Sequence, residues 1–159
     1  DTTPLISLLK INQLDLLEKL FGEVLIPEAV FNELTVDERF QLEAKVIRQK
    51  EFIAVKPVNN LESVSILKRA TGLDQGESEG IVLTDELKAD LLLMDEAKGR
   101  NVSAQMGLKI MGTIGILMAA YEEHELTSDE VRECVDGLQR AGRHIGQRHY
   151  QMLLGRLKD

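Results

Sequence analysis

The strand-like run Leu91-Leu92-Leu93-Met94 is followed directly by a carboxylate, Asp95. An apolar stretch of this kind suits a strand buried on both faces, the habit of parallel sheets covered by helices. A charge at the end of such a strand must reach solvent or find a partner. The expected strand covers Ala89 to Met94, with Asp95 at its carboxyl end.

On either side the chain alternates between helical and strand-like segments. Thr3 followed by Pro4 has the form of an N-cap and a first-turn proline, opening a helix through Leu5, Ile6, Leu8 and Leu9. A second helix covers Leu14 to Phe21 and stops at Gly22, and Glu23 to Ile26 forms a strand closed by Pro27. Pro27 opens a helix with Ala29, Val30, Glu33 and Leu34. A helix over Glu38–Lys50, a strand over Phe52–Val55 and a helix over Leu61–Ala70 precede a loop at Gly72–Gly76.

Glu77 to Leu87 is helical, as is the segment after Asp95. Lys109 to Met111 is a short apolar run, and Thr113 to Glu123 is again a helix. Thr127 and Glu130 have capping-box spacing ahead of Val131, Val135 and Leu138. Alternation of this kind implies crossover connections and a mostly parallel sheet with helices on both faces. In such sheets ligands bind beyond the carboxyl ends of the strands, where Asp95 stands.

The 159 residues suit one domain, and 43% hydrophobic content is enough to bury a core. No stretch reaches the roughly 20 apolar residues of a membrane span, and no signal-peptide pattern opens the chain, so a soluble, cytoplasmic protein is expected. Cys134 is the single cysteine, which leaves no internal disulfide. The overall charge of -8 is unevenly spread, because residues 139–159 hold five Lys or Arg against one acid. Such a basic tail is either a solvated helix face or a contact for phosphates.

Four carboxylates stand out by placement: Asp1 at the start, Glu33 after the Pro27 boundary, Glu77 at a helix start, and Asp95. Glu33 also suits the polar face of its helix, and Glu77 the positive end of a helix dipole. Gathered together, the four would repel one another without a cation. Oxygen-only ligands suit Mg²⁺ or Mn²⁺, ions that keep waters and engage phosphates. Thr113, in Gly112-Thr113-Ile114-Gly115, is placed to bond a metal-bound water near Asp95. His124, His144 and His149 have no metal-ligand spacing and are taken as surface or packing residues.

The order of these motifs resembles the PIN-domain nucleases, in a prokaryotic branch related to the toxins of toxin-antitoxin pairs. The resemblance is carried by Asp1-Thr2-Thr3-Pro4-Leu5-Ile6, Ile26-Pro27-Glu28-Ala29-Val30 leading to Glu33-Leu34, and Leu73-Asp74-Gln75-Gly76-Glu77-Ser78-Glu79. It continues through Ala89 to Asp95, Gly99-Arg100 and Gly112 to Leu117, nearly the whole chain.

The resemblance implies a three-layer α/β/α domain over residues 1–159, with the strand that should present Asp1 missing ahead of it. It also implies Mg²⁺- or Mn²⁺-dependent endoribonuclease activity with Asp1, Glu33, Glu77 and Asp95 catalytic. Asp1, Glu77 and Asp95 would be the metal ligands, supported by Thr2, Glu96 and Thr113, with Arg100, Arg143 and Arg148 on the nucleic acid. Implied partners are RNA, a small antitoxin protein and a second copy of the chain, with no membrane.

Glu96 stands where a second Asp is common in that branch, which also admits a non-cleaving module that binds RNA or protein. A phosphorylatable receiver domain fits less well, since only Asp1 and Lys109 stand in for its acidic pair and lysine.

Overall fold

Proline, glycine and capping side chains set most element boundaries. A computed structural model describes residues 3–143 and 145–157, so the expectations for Asp1, Thr2 and His144 lie outside the described residues. The first helices are α1 (Thr3–Lys10) and α2 (Leu16–Phe21), the latter closed by Gly22 at φ 78°. Strand β1 (Val24–Pro27) runs straight into α3 (Glu28–Val36), with Pro27 as N-cap. The helix expected over Glu38–Lys50 is divided into a 3-10 turn at Glu38–Phe40 and α4 (Gln41–Gln49).

Next come β2 (Ile53–Lys56), α5 (Leu61–Thr71) and α6 (Gln75–Leu87). Helix α6 begins two residues before the expected Glu77, because Asp74 and Glu77 cap it reciprocally. The remainder is β3 (Leu92–Leu93), α7 (Ala97–Gln105), β4 (Ile110–Met111), α8 (Thr113–Glu122), α9 (Ser128–Arg140) and α10 (Gln147–Arg156).

Both ladders are parallel, as a chain of crossovers requires: β1 pairs with β2 and β3 with β4. They form two two-stranded pairs flanked by helices, an α/β arrangement. The strand expected over Ala89–Met94 is confined to Leu92–Leu93. Lys88 ends α6 in the left-handed region at φ 52°, and the N–H of Ala89 is still tied back to Thr84 O at 3.1 Å.

Met94 is fully buried, but Leu91, Leu92 and Leu93 are half-buried. They line a groove of about 430 Å³ that β1, Pro4, Leu5 and the α6 residue Leu83 also line.

Helix α8 joins the two larger cores. Its Ile116 packs with α1, β1, α3 and α4, while Leu117, Met118 and Ala120 pack with α9 and α10. Leu153 and Leu157 bury on this second core, so the apolar face of the C-terminal helix has its partner within the chain, while Met152 stays exposed. Cys134 lies in the same core, where burial pushes its thiol up to about 11.

Helix α6 is buried from Gly76 through Thr84, because Gly76 and Gly80, a turn apart, admit close neighbours. A Cβ on Gly76 would stand 2.9 Å from Glu33 Oε1 and 3.3 Å from Val30 Cγ2 of α3. No helix among the described residues is long and apolar enough to cross a membrane.

Candidate active site

Three helix starts, those of α6, α7 and α8, are capped by acids, and Glu33 comes from within α3. Asp74 is the N-cap of α6 and accepts from the Glu77 N–H at 2.7 Å, while Glu77 Oε1 accepts from the Asp74 N–H at 3.0 Å. Glu96 is the N-cap of α7, accepting from the Gly99 N–H at 2.7 Å. Helix α8 starts at Gly112, which has no side chain to cap with, and Asp95 supplies the cap from the end of β3. Its Oδ1 accepts from the Thr113 N–H at 2.7 Å and its Oδ2 from the Thr113 hydroxyl at 2.5 Å. Thr113 therefore meets Asp95 directly rather than through water.

These placements create two adjoining cavities. One, of about 430 Å³, is lined by Thr3, Glu33, Asp74, Glu77, Glu96 and Lys98. The other, of about 650 Å³, takes in Asp95, Arg100, Thr113, Arg143 and His149. Thr3 lines both. Asp95 and Glu96, neighbours in the chain, are divided between them. Of the expected acids, Glu33 and Glu77 thus share a cavity with Glu96, while Asp95 sits next door. Of the expected basic contacts, Arg100 and Arg143 line the second cavity; Arg148, exposed on α10, does not.

Glu77 is the one buried acid of the first cavity, at 8% exposure, whereas Glu33, Asp74 and Glu96 are exposed. Burial pushes its carboxyl up to about 7, assisted by a hydrogen bond with Glu96 and the charge of Asp74. The Glu96 carboxyl is held below its ordinary value, chiefly by the Gly99 N–H. In this pair the proton therefore resides on Glu77 and the charge on Glu96. Desolvation raises Glu33 too, with Asp74 and Glu79 adding repulsion.

Asp74 and Lys98 escaped the sequence reading. Asp74 was legible, since its spacing to Glu77 matches that of Thr127 to Glu130. For Lys98 nothing local was legible; its ammonium arrives beside Gly72, where an added Cβ would stand 2.8 Å from Nζ.

Glu79, 7% exposed, accepts from the Ala29 N–H at 3.2 Å and from Gln75 Nε2 at 2.6 Å. It thereby caps α3, whose own N-cap, Pro27, makes no side-chain bond to the helix. The start of the helix that carries Glu33 is fastened to α6.

Among the described residues no three or more Asp, Glu, His or Cys side chains are grouped so as to hold a metal ion. Mg²⁺ needs no such group, since it is commonly held by one or two carboxylates, waters and substrate phosphate. The donors here are oxygens, and burial with mutual repulsion keeps a proton on Glu77, as expected of a pocket with more carboxylates than cations. Carboxylate oxygen is the donor type that a hard divalent ion prefers.

A protein-family model described as a PIN domain matches residues 1–159. A search of curated proteins and of solved structures finds no match. PIN domains are generally nucleases and typically use divalent metals. With the match covering the full length of an α/β chain of parallel strands, the protein belongs to the PIN-domain family.

Proposed function

We propose that the protein is a metal-dependent endoribonuclease whose centre lies where the two cavities meet. The observation that carries this reading is the buried Glu77, raised to about 7 among Glu33, Asp74 and Glu96, in a chain matched throughout by a PIN-domain family. Glu77 and Asp95, with Asp1, would hold Mg²⁺ or Mn²⁺, supported by Thr2, Glu96 and Thr113. When bound, the ion supplies water activation and charge stabilisation for in-line displacement at phosphorus.

The chain's own part is positioning and proton handling. Thr113 fixes both oxygens of Asp95 at the head of α8. Glu33, its carboxyl raised by partial desolvation and the charge of Asp74, is the base that this reading assigns to the attacking water. The ammonium of Lys98 lowers the repulsion within the acidic cavity. RNA is the substrate of this reading; a small antitoxin and a second copy of the chain are the protein partners that the family resemblance suggests.

A second reading, a non-cleaving binding module, is favoured by the capping bonds that already occupy Asp95 and Glu77. Incubation of single-stranded RNA with protein and Mn²⁺ separates the two. The nuclease reading expects internal cleavage that stops with chelator and falls at least about 100-fold in Glu77→Gln, which keeps the helix cap. Binding of RNA without cleavage in either Mg²⁺ or Mn²⁺ supports the module instead.

A further inference from the structure

Glu79 is buried on α6 and forms no ion pair with any described residue. A buried carboxylate without a cation against it has to be met by hydrogen-bond donors. Its two donors come from different elements: the Ala29 N–H at the head of α3 reaches Oε1 at 3.2 Å, and Gln75 Nε2 reaches Oε2 at 2.6 Å. At the other end of the same amide, Gln75 Oε1 accepts from Lys68 Nζ of α5 at 2.8 Å. With an ammonium on one side and a carboxylate on the other, only one orientation of the Gln75 amide makes both bonds. The chain of bonds ends one helical turn from Glu33, because Ala29 and Glu33 are four residues apart and share a face of α3. On that face the Glu33 carboxyl stands over Gly76, where an added Cβ would lie 2.9 Å from Oε1. Helix α3 is thus laid on the first turns of α6 at two points, the Glu79 clamp and the Gly76 contact.

We propose that Lys68 and Gln75 are positioning residues, a polar relay that acts through Glu79 to set the start of α3 and so hold Glu33 at the acidic cavity. The assignment rests on the nuclease reading for the role of Glu33. It adds a link from α5, a helix that lines neither of the two cavities. The charge that balances the buried Glu79 is delivered across the neutral amide of Gln75, so the relay has a direction.

That direction supplies the test, because it can be reversed. Lys68→Glu leaves the Gln75 amide between two carboxylates, and Glu79→Gln leaves one oxygen for two donors, so neither single variant can make all three bonds. Lys68→Glu combined with Glu79→Gln restores all three once the Gln75 amide turns over. Its Nε2 then donates to the carboxylate at position 68, and its oxygen accepts from the amide at position 79, whose own oxygen accepts from the Ala29 N–H. Each single variant is expected to lower the urea midpoint in chelator by about 0.3–0.5 M. Each is also expected to lower kcat for RNA cleavage in Mn²⁺ roughly tenfold with KM unchanged. The double variant recovers most of both losses, and Arg69→Glu, the same charge change on the exposed side of α5, leaves both quantities at the parental value.

A double variant no more stable than the weaker single variant would overturn the relay. Recovery of the midpoint with parental kcat in every variant would overturn the positioning of Glu33 and leave the nuclease reading standing. A parent that does not cleave RNA removes the nuclease reading, and with it the role of Glu33, while the midpoints still decide whether the relay sets the start of α3.

Discussion

Replacing Thr113 by Val removes one hydroxyl and asks whether Asp95 is anchored by the fold before any ligand arrives. Thr113 is 6% exposed, and its hydroxyl reaches Asp95 Oδ2 at 2.5 Å. A hydrogen bond to a charged group contributes about 1.5–3 kcal/mol net. Val has nearly the same shape, so packing is kept, and the Thr113 N–H still reaches Oδ1 at 2.7 Å. The expected loss is about 2 kcal/mol, which for a chain of this size lowers Tm by roughly 4–8 °C.

Urea unfolding in chelator measures that loss. The midpoint should fall with an unchanged denaturant slope, the sign of a stability change alone. Thr113→Ser should keep most of the parental value. A Val variant within about 0.5 kcal/mol of the parent, or a Ser variant as weak as Val, would refute the anchoring.

Other outcomes follow from the same contacts. Glu77 is held at about 7 in the fold against an ordinary 4.5, so the native state binds this proton more tightly than the unfolded chain. Its stabilising share is complete below the unfolded value and is lost as pH rises through about 7, so metal-free Tm should fall from about pH 5 to about pH 8, and Glu77→Gln should flatten the fall. Glu79→Ala, which leaves α3 without its cap, should cost about 1–2 kcal/mol in chemical unfolding, and Glu79→Gln less.

The parts of the fold legible in the sequence are those fixed by local chemistry. Pro27 and Gly22 close segments where expected, and the Thr127–Glu130 box forms as read. Strand lengths were not local: Leu91 and its neighbours are as apolar as a strand requires, but the turn at Lys88 and the pairing available from β4 limit the ladder to two residues.

The candidate site divides in the same way. Glu33 and Glu77 were legible as acids at the right ends of their elements, and their meeting depends on Gly76, which lets α3 approach α6. His149 and Arg143 lie far along the chain from Asp95. They reach its cavity only because α9 and α10 pack on the far side of α8, which no local pattern encodes.

The central claim is that Glu77 and its neighbours form a divalent-cation site. Thermal unfolding at about pH 8, with and without Mn²⁺, for the parent and Glu77→Gln tests it most directly. A ligand at about a hundredfold over its Kd stabilises the native state by about 2.7 kcal/mol, or roughly 5–10 °C here. That rise is expected in the parent and little or none in Glu77→Gln; equal shifts in both proteins, or no shift at saturating Mn²⁺, would contradict a cation site at Glu77.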